Sequence, residues 1–127
     1  MGSSETVGLL LTDDMLFSSR ITGTALALGL KINVAKSVND VTSQARERMP
    51  TCIIIDLSHP GLQLPVLIRD LHDAGTPMPR LVAYGSHVDA ATLRAAREAG
   101  CDVVLPRSQF VEKLPHDLAA WMTPSVP

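Results

Sequence analysis

Short apolar runs alternate along the chain with segments whose apolar residues recur at helical spacing. Residues 7–12, 51–55, 81–84 and 103–105 are almost continuously apolar over strand lengths, as expected of parallel strands covered on both faces. Residues 31–36 differ: they alternate and are flanked by lysines, the habit of an edge strand. Between these runs, Phe17, Ile21, Ala25 and Leu28 predict a first helix ending at Gly29. Val38, Val41, Ala45 and Met49 predict a second, opened by a Ser37–Asp40 pair shaped like a capping box and closed before Pro50. Leu64, Leu67, Leu71 and Ala74 mark a third, with Pro65 in its first turn, Gly75 at its end and a turn over residues 76–79. Asp89 is placed to cap a fourth helix carrying Leu93, Ala96 and Ala99 before Gly100. Leu114, Leu118 and Trp121 or Met122 give a fifth helix its apolar face, and Pro115 limits how early it can start.

Five βα units in succession predict an α/β fold, a single doubly wound parallel sheet of flavodoxin type with strand order 2-1-3-4-5. The 127 residues suffice for one domain with one core. We expect a flexible segment at 1–6, the domain at 7–122 and a frayed tail at 123–127. The net charge of -2 comes from acids and bases spread along the chain, and aromatic residues are few, which argues against nucleic-acid binding. Cys52 inside an apolar strand and Cys101 after a helix-ending glycine read as reduced, packing cysteines. With no signal-like opening and no apolar stretch of membrane length, a cytoplasmic, soluble protein away from membranes is expected.

Charge changes this picture at two strand ends. Asp13 and Asp14 follow the first strand and Asp56 ends the third. In the order 2-1-3-4-5 those two strands flank the point where the strand order reverses, and ligands bind in the crevice beyond it. Three carboxylates there repel one another unless a cation lies among them, and an all-oxygen set suits a hard divalent ion such as magnesium. The competing reading is a helix cap at Asp13 or Asp14 and a turn residue at Asp56.

The order of elements, the Asp13-Asp14 pair, the string Asp56-Leu57-Ser58-His59-Pro60 and the Ala99-Gly100 step together resemble the CheY-like receiver domain of two-component response regulators, over residues 7–122. The resemblance implies that Asp56 accepts a phosphoryl group from a histidine kinase or phosphotransfer partner. It also implies magnesium held by Asp14, by Asp13 partly through water, by Asp56, and by the backbone carbonyl of Ser58. A downstream output protein follows from the same resemblance, as does a partner-facing surface, possible also in a homodimer, made by helix 4, strand 5 and helix 5. Leu93, Arg94, Arg97, Arg107, Phe110 and Trp121 lie on those elements.

Two positions depart from the family pattern. Where receivers carry a threonine or serine at the end of strand four, counting forward places Tyr84 and counting back places Gly85, while Ser86 fits only with a one-residue shift. The usual lysine at the end of strand five falls on Arg107, after Leu105-Pro106, keeping the charge with a different geometry. Ser86 and Arg107 are therefore the candidate phosphate contacts. The alternative function is a pseudo-receiver, an interaction module without a phosphorylation cycle. A metal-dependent hydrolase is a weaker third reading, and lone loop histidines His59 and His87 are expected to be solvated.

Overall fold

The computed structural model describes residues 6–74 and 77–124. The chain alternates β1 (Val7–Leu11), α1 (Met15–Ala27), β2 (Lys31–Ala35), α2 (Val38–Arg48), β3 (Cys52–Asp56), α3 (Leu64–Asp73), β4 (Arg80–Gly85), α4 (Ala90–Ala99), β5 (Val103–Pro106) and α5 (Arg107–Met122). The strands form one parallel sheet in the order β2-β1-β3-β4-β5. β1, β3 and most of β4 are buried along their length, whereas β2 at the edge is half-exposed, which matches the continuous and alternating patterns of their sequences.

Each face of the sheet carries its own core. Leu9, Leu11, Ile53, Ile55, Leu81 and Ala83 pack against α2, α3 and α4. Leu10, Ile54, Val82 and Tyr84 pack against α1 and α5. Asp56 continues the alternation of β3, so its side chain belongs to the α1/α5 side.

Local chemistry sets the helix ends. Asp14 caps α1 by accepting from the Phe17 N–H at 3.0 Å, and Asp89 caps α4 by accepting from the Thr92 N–H at 3.2 Å. Gly29 and Gly100, at φ 75° and 111°, take the left-handed turns that close α1 and α4. Ser37 accepts from the Asp40 N–H at 3.1 Å, but the Asp40 carboxylate turns to Gln44 Nε2, so the capping box is only half made. Leu28 is more exposed than its helical spacing suggests, because it lies just past the last turn of α1. The fifth helix begins at Arg107, well before Pro115, which lies inside it on the exposed side. Phe110 and Leu114, fully buried, hold the turns ahead of the proline in place. Gly75 and Thr76, the expected end of the third helix and start of the turn, lie outside the described residues, as do residues 1–5 and 125–127 of the expected flexible ends.

Candidate functional site

At the carboxyl ends of β1 and β3, Asp56 is 2% exposed and, with Thr12, makes up the buried polar residues among those described. Both of its carboxylate oxygens are engaged. Oδ2 accepts from the Thr12 hydroxyl at 2.7 Å. Oδ1 accepts from the Ser58 N–H at 2.9 Å and the Ser58 hydroxyl at 2.6 Å. An ionised carboxylate offers roughly four lone-pair sites, so one remains open, on Oδ2. Such saturation is what allows a carboxylate to sit in the interior at all.

Thr12 links the two acidic elements. Its hydroxyl donates to Asp56 and accepts from the Asp14 N–H at 3.1 Å, pinning the turn after β1 to the end of β3. Nothing in the sequence singled out this residue: a threonine closing an apolar run reads as one more strand position, and its partner lies 44 residues away. Asp13 and Asp14 are both exposed on that turn, with Asp14 serving as the α1 cap. Among the described residues, no three acidic, histidine or cysteine side chains are gathered closely enough to hold one metal ion. The donor chemistry still fits magnesium: oxygen atoms only, an open site on Asp56 Oδ2, and two exposed carboxylates on the adjoining turn.

Tyr84 pairs with Asp56 in the β3–β4 register, and the Leu57 N–H donates to the Tyr84 carbonyl at 2.9 Å. Its ring is fully buried between Phe17 (4.9 Å between centroids) and Phe110 (4.7 Å), and its hydroxyl makes no hydrogen bond. Burial, and then the Asp56 charge, push the phenol well above its usual range, while the Arg107 charge partly offsets this. Tyr84 thus lies on the α1/α5 side beside Asp56, and Gly85, which ends β4, faces the opposite side, where an added Cβ would lie 3.4 Å from Leu57 and Leu93.

The two candidate phosphate contacts lie on the rim. Arg107, exposed at the start of α5, has its guanidinium carbon 5.6 Å from the Phe17 ring centroid, a cation–π arrangement. Ser86 is exposed in the β4–α4 loop, where its hydroxyl accepts from the Val88 N–H at 3.3 Å. Neither bonds to Asp56. His59, expected to be solvated, is half-buried and ties the β3–α3 loop to the end of β2. Because Nδ1 accepts from the Gly61 N–H at 3.1 Å, Nε2 carries the proton and donates to the Lys36 carbonyl at 2.6 Å.

Burial pushes the Cys52 thiol up to about 12 and the Cys101 thiol up to about 11; both are free. They are packing residues, as their sequence context suggested.

No family model and no curated protein matches the chain. Solved structures do. The signal receiver domain of a response regulator from Bermanella marisrubri is 21% identical and superposes with a TM-score of 0.80, covering 94% of this chain and 99% of that one. The receiver domain of NtrX from Brucella abortus is 15% identical, with a TM-score of 0.77 over 91% and 97% of the two chains. The beryllofluoride-activated NtrC4 receiver domain dimer is 16% identical, with a TM-score of 0.72 over 91% and 98%. The fold is that of the response-regulator receiver domain.

Proposed function

We propose that the chain is a signal-transduction receiver that takes a phosphoryl group on Asp56 from a phosphohistidine of a kinase or phosphotransfer protein and passes the change to an output partner. The observation carrying this reading is the position of Asp56: the buried carboxylate of the domain ends a central strand where the strand order reverses, beside two further acids. The open lone pair on Oδ2 attacks phosphorus, the phosphorus–nitrogen bond breaks, and its electrons return to the imidazole of the donor. Magnesium would be held by Asp13, Asp14, Asp56 and the Ser58 carbonyl, and would neutralise charge between two approaching anions. Thr12 orients the acceptor, and Arg107 stands at the mouth as the cation able to reach an added phosphoryl group.

The face made by α4, β5 and α5 offers its partner charge more than apolar surface. Leu93, Phe110 and Trp121 are buried in the two cores, which leaves Arg94, Arg97 and Arg107 exposed. Glu98, Glu112 and Lys113 are exposed on the same helices, so the face offers an output partner charges of both signs. Among the described residues, no helix is long and apolar enough to cross a membrane.

Intact-mass measurement after incubation with acetyl phosphate and magnesium tests the reading. One phosphoryl group is expected on the wild type and none on Asp56→Asn. No gain under conditions that modify another receiver would show an interaction module without a phosphorylation cycle, and donor turnover without an adduct would show a hydrolase.

A further inference from the structure

The outward side of α1 is uncharged. Met15 (70% exposed), Leu16 (87%) and Leu26 (78%) stand on it with Ser19, Gly23 and Ala27, all of them exposed. At 3.6 residues per turn these six positions fall within an arc of about 120°. A surface helix ordinarily carries charge there, yet the only charged residue in α1 is Arg20, at the border of the arc.

The order of residues along this arc is symmetric about Ile21. Leu16 and Leu26 lie five positions to either side, Ser19 and Gly23 two, and Met15 and Ala27 six. Laid against its own copy in antiparallel fashion, the helix would place Leu16 opposite the Leu26 of the copy and Ser19 opposite the Gly23 of the copy. Large residues then meet at both ends and small ones at the crossing, where they let the two backbones approach closely. A two-fold interface requires this kind of self-complementarity, in which residue i meets j and j meets i.

We propose that α1 is the interface of a homodimer, paired antiparallel with the α1 of a second copy of this chain. The 13-residue helix, about 20 Å long, would by itself bury less than the roughly 800 Å² per partner of a standard interface. The groove beside it, about 950 Å³ in volume, adds to that surface: there Ser19, Gly23 and Leu26 face Leu30, Lys31 and Ile32 at the sheet edge. A partner helix lying along α1 also covers part of this groove. The two Arg20 side chains fall on the same rim of such a pair, so their repulsion weakens the dimer at low salt and is screened at high salt.

Sedimentation of the full chain over a wide concentration range tests the proposal. The wild type is expected to show a reversible monomer–dimer equilibrium that tightens with added salt. Leu16→Glu, which sets a carboxylate against an apolar partner, should weaken it by about tenfold or more. Gly23→Gln should do the same by keeping the helices apart. It controls for folding as well: a Cβ at Gly23 meets no atom within 4 Å, so the monomer should melt no lower than wild type. In a Cys101→Ser background, mixed Ser19→Cys and Gly23→Cys proteins should cross-link on oxidation, whereas Leu16→Cys with Ser19→Cys should not. A chain that stays monomeric at millimolar concentration, or a dimer indifferent to Gly23→Gln, overturns the assignment. Either result leaves the phosphoryl-acceptor reading intact, because that rests on mass gain at Asp56.

Discussion

Thr12 and Tyr84 carry neighbouring hydroxyls with opposite consequences for stability. The Thr12 hydroxyl satisfies a buried carboxylate and the Asp14 N–H together; removing it strands both partners. Thr12→Val should therefore lower the unfolding free energy by about 1–3 kcal/mol, with Thr12→Ser close to wild type. The Tyr84 hydroxyl is buried without a partner, so Tyr84→Phe should leave stability unchanged or raise it by up to about 1 kcal/mol. Urea titration of the three variants checks both signs. A Tyr84→Phe loss as large as that of Thr12→Val would mean that the phenol has an acceptor after all.

The buried thiol adds a pH dependence at the same scale. Cys52 is raised from 9.0 to about 12, chiefly by burial, with Arg80 pulling it partly back and Asp102 pushing it up. A folded-state value above the unfolded one gives a stability contribution that is complete below pH 9.0 and is lost as the pH climbs towards 12. Each such group costs about 1.4 kcal/mol per pH unit within its window. Unfolding midpoints should therefore fall steeply above pH 9.0, and Cys52→Ala should make the fall shallower even if the variant is less stable at neutral pH.

Among the elements, α5 is the one whose boundary the residue pattern misplaced. Pro115 supplies no N–H to the Val111 carbonyl, a reason to expect the helix to start late, yet the helix runs through it from Arg107. The defect faces solvent, where water can serve the carbonyl, while Phe110, Leu114 and Leu118 keep the buried side continuous. Pro115→Ala should accordingly raise stability by about 1–3 kcal/mol, measurable as a higher melting temperature. The strands were legible because central parallel strands are apolar on both faces, and the helices because Asp14, Ser37, Asp89, Gly29 and Gly100 each perform a specific end-capping job. Asp56 was legible through its place at the end of such a strand. What could not be read was contact between segments distant in sequence. The Thr12–Asp56 bond, the burial of the Tyr84 ring beside Asp56, and the exposure of Leu16 and Leu26 on α1, which lie off the apolar spacing of that helix, all depend on how the segments meet.

For the whole molecule, the separate cores on the two faces of the sheet bear on how far a change at Asp56 can travel. Asp56 and Tyr84 belong to the α1/α5 face, whereas Leu93 and Ala96 of α4 belong to the other. Gly85 has no side chain to span the sheet end, and the Ser86 hydroxyl is held in its own turn by Val88. Beryllofluoride, a phosphoryl mimic, should therefore slow amide exchange around Asp56, the β1–α1 turn and the start of α5, with little change in α4. Strong protection spreading through residues 84–89 into α4 would show that a switch through the β4–α4 loop is present.

The two phenylalanines, one tyrosine and one tryptophan of the chain form one connected cluster, with Phe17, Tyr84 and Phe110 in mutual contact and Trp121 joined to it through Phe110. Phe17 touches Tyr84, Tyr84 stacks on Phe110 at 4.7 Å, and Phe110 stacks on Trp121 at 5.7 Å. Light absorbed by Tyr84 will drain into Trp121 before it can be emitted, so the folded protein should show tryptophan fluorescence alone, with a separate tyrosine band appearing on unfolding. Because Tyr84 pairs with Asp56 across the β3–β4 register, the colour and yield of one indole give an unlabelled optical readout of changes at Asp56.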